Sequence, residues 1–574
     1  MSFGRSNWAT GVVLAAVMQA FAPVSASAQS SAAALAALPD ADPAPVPESG
    51  APDPLTPRGD TSAPLAPGSE GAARDAADAV ADPLVVLVRE KLAAMPVSQA
   101  RGGKDDLAAA VAYYEGSKSP LWTDKVGLTV RGRQVAAEIA NAGDWGLDVR
   151  AFDAPVAPSA TASAEELAEV EAKLSLAVLT YARHARGGRF DPASISKRFD
   201  QKPAVFEPRS VLQGIAAAEA PDEYLRRLHP QHPQFEKLRQ ALLAVRAASS
   251  GTSAAGGKEK PAASAVQLVV NMERWRWMPA DLGEFYVWNS ITEQMTSVVA
   301  KGKVVLSEKI VVGKTSSPTP IFSADMQFVI FHPSWGVPAG IKTHELGPKL
   351  RSSGSDWFSF KPSASAVLRA HGLIASRGGR PVDPDSIDWS QVNINSFHFT
   401  QPAGARNVLG IVKFRFPNKH DVYMHDTTER HLFGGAVRAF SHGCMRVQNP
   451  MRLAEVLLAH DKGWSVEQVK AAERRGEQVT LSTPIPVHIN YFTVSVDDAG
   501  KVVTRADLYG LDSRVAAAID ARDVSVASSG TRKPVAVAAE PSERTSAEPR
   551  RKRRPRRAAN ADASDNPFAS LFGN

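Results

Sequence analysis

The spacing of apolar residues along the chain changes once, and the change divides it. From about Pro83 to Ser249 apolar positions recur at helical intervals. Leu167, Val170, Leu174, Val178 and Tyr181 share one face of a predicted helix, which Ser163 and Glu166 open as a capping box and Gly187-Gly188 stops. Val135 to Ala140 reads as another helical stretch. From about Ser264 to Ile519 the pattern turns to strands. Lys303–Val312, Met326–Phe331 and Ile411–Phe416 are β-branched or alternating, with Val412, Phe414 and Phe416 on one face. Val487 to Val496, then Asp497-Asp498-Ala499-Gly500 and Val502-Val503, predicts a hairpin. Between about 341 and 393 lies a Gly/Ser/Pro-rich insertion with little strand pattern.

The two ends lack any such pattern. Residues 1–28 place Arg5 before an apolar stretch from about Val12 to Ala22, then Ala26-Ser27-Ala28, as in a cleaved export signal. The stretch is short for a membrane span, and an uncleaved anchor is the alternative. Residues 29–82 are Ala, Pro, Asp and Ser, which cannot bury enough apolar surface to fold and so read as a tether. A Gly/Ser/Lys linker fills 250–263, and from 520 to 574 the composition again predicts disorder.

Charge sharpens the picture of that tail. The formal net charge is +6, and Arg550–Arg557 holds seven basic residues in eight; without them the remainder carries −1. The basic character therefore belongs to the tail. In an exported chain its candidate partners are anionic wall polymers or a membrane surface, not nucleic acid, and a plain solvated tail is the other reading.

Cys444 is the single cysteine among 574 residues. It cannot form an intramolecular disulfide, so it is core filler, metal ligand or nucleophile. Ser441-His442-Gly443-Cys444 is small and polar, hence turn-like, and Gly443 lets backbone approach a ligand closely. His425, nineteen positions upstream, ends the alternating run Asp421–Met424, which suits a short strand. A thiol at its ordinary pKa is only a few per cent ionised at neutral pH, so a neighbouring imidazole would remove that limit. His431 and His442 add ligand types suited to zinc, but there is no second cysteine.

The stretch from His425 to Val447, with fifteen residues between His425 and Ser441, then His442, Gly443, Cys444 and Arg446, closely resembles the active-site signature of the L,D-transpeptidases. Those enzymes cross-link bacterial cell-wall peptides through a cysteine. Leu121-Trp122-Thr123, His184–Pro192, Asn271–Arg276, Pro318-Thr319-Pro320, Pro333–Pro338 and Asn407–Gly410 are similar to their large Gram-negative type, so the likeness covers roughly residues 83–519. It implies an α+β multidomain chain: an α-helical scaffold domain at 83–249, then a mainly β catalytic domain at 264–519. The 341–393 insertion stands where the family has a lid; a plain surface insertion is the other reading. The small wall-binding module of many relatives has no counterpart here.

The resemblance also implies the chemistry. Cys444 would attack the carbonyl before the terminal D-alanine of a stem peptide, and an amine would take the acyl group from the thioester. His425 is the implied base. The N–H groups of Gly443 and Cys444, with His442, would receive the oxyanion, beside Ser441. Asp426 either orients His425 through its side chain or holds the turn. Arg446 either grips a substrate carboxylate or forms a structural ion pair, and Tyr423 and Trp335 are candidate cleft walls or core aromatics. No cofactor or metal is called for, and carbapenems would acylate the thiol. Water as acceptor would make an L,D-carboxypeptidase, and a protein lysine an enzyme that anchors outer-membrane proteins to peptidoglycan. A wall-binding scaffold without catalysis is the reading from another class.

Overall fold

The structure, a computed structural model, describes residues 81–97, 103–187, 189–249, 262–353 and 361–527. The predicted export signal, nearly all of the tether, Gly188, most of the linker and the basic run lie outside the described residues.

The N-terminal half is helical because its apolar residues keep one period. It comprises α1 (Pro83–Ala94), α2 (Lys104–Gly116), α3 (Val130–Ala140), α4 (Ala164–Arg186), α5 (Pro208–Ala217), α6 (Pro221–Arg227) and α7 (Pro233–Ser249). The predicted capping box is present at α4, where the Ser163 side chain accepts the Glu166 N–H and Glu166 accepts the Ser163 N–H. Leu167, Val170, Leu174, Val178 and Tyr181 are buried, and their helix runs through the middle of the helical core. Glu171, fully buried on α4, accepts the N–H groups of Leu121, Trp122 and Thr123, pinning a short hairpin onto the bundle.

The segment after the linker departs from expectation. Instead of a strand, α8 (Ala265–Trp277) forms, opened by a capping box of Ser264 and Gln267. Its Leu268, Met272 and Trp275 pack with Phe235, Leu238 and Leu242 of α7 and with Phe492 and Val494, joining bundle to sheet. Glu273 of the same helix holds Arg276 at 3.2 Å and accepts the Arg189 N–H, so two motifs 84 residues apart in sequence meet.

The sheet contains β1 (Phe285–Ser290), β2 (Met295–Ala300), β3 (Lys303–Gly313) and β4 (Ser323–Phe331), and then β5 (Trp335–Gly336), β6 (Ile374–Arg377), β7 (Arg380–Pro381) and β8 (His398–Gln401) turn aside. It resumes with β9 (Val412–Arg415), β10 (Met424–His425), β11 (Ala439–Ser441), β12 (Met445–Val447) and β13 (Gln478–Asn490), and β14 (Val494–Val496) pairs with β15 (Val502–Thr504) as a separate hairpin. Nine strands run in the order β11-β3-β12-β10-β9-β4-β13-β1-β2, and β2 also pairs with β3. That last pairing curls the sheet into a barrel, which leaves few open edges. The predicted hairpin is confined to β14 and β15, because Val487–Asn490 belongs to the long β13, paired with β1 and β4. Helices α10 (Pro450–Lys462) and α11 (Val466–Arg475) cover the barrel, and Leu453, Leu457 and Val469 enter its core.

The insertion is a folded unit and not a patternless loop. Helical turns Ala339–Ile341, Lys342–Leu346 and Gly347–Arg351 and helix α9 (Ala364–Ala370) pack on an antiparallel sheet in the order β5-β8-β6-β7. Its own core reaches from Trp335 to Leu409, wider than the 341–393 stretch, and adds Tyr423, with Cys444 packed against it. At the C-terminus α12 (Leu511–Ala527) continues past Ile519, where disorder was expected. Leu511, Val515 and Ile519 recur at helical spacing and join the barrel core, which explains the extension.

Candidate active site

Two parallel neighbours in the barrel mount the site. In β10 and β12, Met424 pairs with Met445 and His425 with Arg446. Side chains alternate along strands, so the fully buried Met424 and Met445 enter the core while Tyr423, His425, Cys444 and Arg446 share the other face. All four line one cavity of about 620 Å³, together with Trp335 and with Ile341 and Glu345 of the insertion, which thus walls the site in the position of a lid.

Cys444 sits on a tight turn made by its neighbours. Gly443 has φ +117°, a left-handed conformation that favours glycine. The Ser441 hydroxyl donates to the Cys444 carbonyl at 2.5 Å and accepts the Gly443 N–H at 3.2 Å. Gly443 N–H is thereby occupied, which corrects its expected part as an oxyanion donor. Among the described residues the Cys444 N–H has no such partner. From behind, buried Thr319 accepts the Gly313 N–H and donates to the Gly443 carbonyl at 2.8 Å, while the Tyr509 hydroxyl donates to the Gly313 carbonyl at 2.7 Å. The sulfur lies 3.9 Å from the Asp421 carbonyl, which is within reach of its weak S–H donor.

His425 is oriented by main chain. Its Nδ1 meets the Asp426 carbonyl, so Nδ1–H donates there and Nε2 keeps its lone pair. The Asp426 carboxylate instead accepts the Ile411 N–H at 3.0 Å and Arg430 at 2.6 Å. Of the two readings of Asp426, the side chain holds the turn. Arg446 likewise resolves towards structure: it is 3% exposed and paired to Glu429 at 2.6 Å. A guanidinium so engaged does not offer the free fork expected for a substrate carboxylate. His442 turns to Glu345 of the lid. Trp335 and Tyr423 are both buried and both line the cavity, so each is core residue and wall at once.

Among the described residues no group of three or more His, Cys, Asp or Glu side chains is arranged to hold a metal ion, and no helix is long and apolar enough to cross a membrane.

Residues 284–487 match the model of the L,D-transpeptidase catalytic domain, and residues 108–242 that of a scaffold domain. The chain thus carries an L,D-transpeptidase catalytic domain. A Haemophilus influenzae protein provisionally named an L,D-transpeptidase is 28% identical over 253 residues, 43% of this chain. The match spans 48% of that relative's length, so the two share about half of it. Two solved structures align at 13% identity, each over 36% of this chain: an L,D-transpeptidase from Mycobacterium smegmatis, over 58% of its length with TM-score 0.15, and L,D-transpeptidase 1 of Mycobacterium tuberculosis, over 61% with TM-score 0.13. Overlaps that slight have no bearing on the fold.

Burial favours the neutral form of both His425 and Cys444. Burial, with the Arg446 and Lys413 charges beside it, lowers the His425 pKa to about 3, although the Asp426 carbonyl favours the protonated ring. Burial raises the Cys444 thiol to about 11, against the pull of Tyr423 and the Lys413 ammonium. Lys413 was missed in the sequence. It pairs with His425 across β9 and β10, and its ammonium sits 3.7 Å from the centre of the Tyr423 ring. The alternation that put Val412 and Phe414 in the core already assigned Lys413 to the site face. Glu345 had no such signal, since it reaches the site only by lid folding.

Proposed function

We propose that the protein is a peptidoglycan L,D-transpeptidase working through a thioester on Cys444. The observation that carries this reading is the parallel register of β10 and β12, which turns His425 and Cys444 towards one cavity beneath the lid. As the sulfur attacks the carbonyl before the terminal D-alanine of a stem peptide, its proton passes to Nε2 of His425. The C–S bond forms, the C–N bond breaks, and that proton leaves on the D-alanine amine. The Cys444 N–H supports the oxyanion; one such donor is worth about 3 kcal/mol of barrier. An amine of a second stem then attacks the thioester, giving a cross-link between the third residues of two stems and returning the thiol. Lid closure limits access of water during the thioester's lifetime.

The predicted export signal supports reading this work as periplasmic, where the substrate wall lies. We read the basic run at 550–557 as a contact for anionic wall or membrane groups.

The test is intact-mass measurement after exposure to a carbapenem. The unmutated protein should gain one drug mass and Cys444→Ala none; an unmodified wild-type chain would sink the proposal. Stem-peptide assays then sort transfer to an amine from release of a shortened stem by water or attachment to a protein lysine.

A further inference from the structure

A second cavity, of about 350 Å³, opens on the Gly443 side of the nucleophile turn. Lys197 and Arg198 line it from the helical half, opposite Pro318, Pro320 and Gly443, and it shares His420 and His442 with the larger cleft. None of the described residues that line it is acidic. Two carboxylates touch its lining from outside: Asp200, held by Lys419 at 2.6 Å and by His420 at 2.9 Å, and Glu345, which meets His442.

The basic wall is mounted firmly. The Ile321 N–H donates to the Arg198 carbonyl at 2.8 Å and the Asp200 N–H to the Ile321 carbonyl at 2.9 Å. Between them Phe199 is 1% exposed, in the barrel core with its ring 5.1 Å from that of Trp277. Lys197 and Arg198 are thus fixed to the barrel although they belong to the scaffold segment.

An acyl transfer between two peptides needs two approaches to one sulfur. The donor must fill the cleft that contains Cys444, so the attacking amine has to arrive from a side the donor leaves free. We infer that the groove between Lys197–Arg198 and the Gly443 turn is the acceptor site, and that it takes a peptide bearing free carboxylates. This rests on the thioester reading. Carboxylates of the acceptor pair with Lys197 and Arg198, and the histidine wall shared by the two cavities leads its amine to the thioester carbon. The C–N bond forms as the C–S bond breaks, and the amine proton returns to sulfur through His425. The scaffold then has a direct part in choosing the acceptor.

The experiment uses the full mature chain in two forms. With Cys444→Ala, which cannot react, binding of a stem tripeptide with free carboxylates is measured by calorimetry beside the same peptide amidated at those groups. Lys197→Glu combined with Arg198→Glu should weaken the acidic peptide by about tenfold or more and leave the amidated one little changed, while Lys197→Arg keeps the preference. In the reactive chain the same charge reversal should lower the ratio of cross-linked to hydrolysed product by a similar factor. Equal affinity for both peptides, or a charge-reversed chain that binds the acidic one normally, overturns the inference. Absence of any thioester adduct strikes the catalytic reading instead, and the calorimetry still decides the groove.

Discussion

The imidazole of His442 on the nucleophile turn meets the carboxylate of Glu345 on the lid, closing a link across 97 residues of sequence. Both side chains are largely covered, at 17% and 21% exposure, and the lid core behind Glu345 continues to Tyr423 and Cys444. Lid and reactive turn are therefore in direct register whenever this contact is made.

Cutting the link should loosen the lid without touching the thiol. Glu345→Ala removes a partly exposed charged contact worth about 1 kcal/mol, or roughly fivefold in the opening equilibrium. Amide exchange across 342–350 should speed up by that factor, and iodoacetamide should alkylate Cys444 faster. Unaltered exchange over those residues would mean the contact does not hold the lid.

Arg446 depends on its partner more heavily. Glu429→Ala leaves a buried guanidinium without its carboxylate, a change that costs about 3–5 kcal/mol when no other group compensates. A fall of several degrees in the calorimetric melting temperature is expected, and replacing both partners by apolar residues (Glu429→Leu with Arg446→Met) should be milder because it leaves no buried charge unpaired. Similar melting for Glu429→Ala and wild type would count against a structural role for the pair.

Thr319 is the rear support of the turn. Thr319→Val keeps the shape but strands the Gly313 N–H and the Gly443 carbonyl, each at about 1–3 kcal/mol. Since a small displacement of a nucleophile is expensive, kcat should drop by about tenfold or more, with KM nearly constant. The same kcat in the valine variant would show that the hydroxyl plays no part in placing Gly443.

Acid should destabilise the fold through His425. The unfolded ring takes up a proton near pH 6.5, whereas the folded ring resists until about pH 3. Its folded pKa is depressed, so the stability it supports is present above about pH 6.5 and is lost as pH falls through that window, at most about 1.4 kcal/mol per pH unit. Melting curves recorded from pH 7 to pH 4 should be flatter for His425→Asn. Parallel curves for the two proteins would show that this ring is not the group responsible.

Much of the architecture was written locally and could be read. The Ser163–Glu166 box needs only four residues, and the Val412–Phe416 alternation needs five. Helix α8 was misread because Val266, Val269, Val270, Trp275 and Trp277 are strand-loving types; the Ser264–Gln267 box was the signal against it. The lid escaped because its strands are two to four residues long and its core is closed by helical turns. Within the site, residue types pointed to His425 and Cys444, but not to how their neighbours divide the hydrogen bonds. Asp426 orients the ring by its carbonyl and Gly443 spends its N–H on Ser441, and main-chain roles of that kind leave no mark on composition.

The strands that carry His425 and Cys444 lie inside the barrel circuit, with β9 on one flank and β3 on the other, whereas the lid has a separate small core. Warming should detach such a cover well before it unravels the staves beneath. Between those two events the molecule would be a bare reactive thiol, indifferent to which carbonyl it meets. Selectivity should therefore fade at a lower temperature than reactivity, and stem-peptide turnover should fail while a small thiol reagent is still consumed at its usual rate.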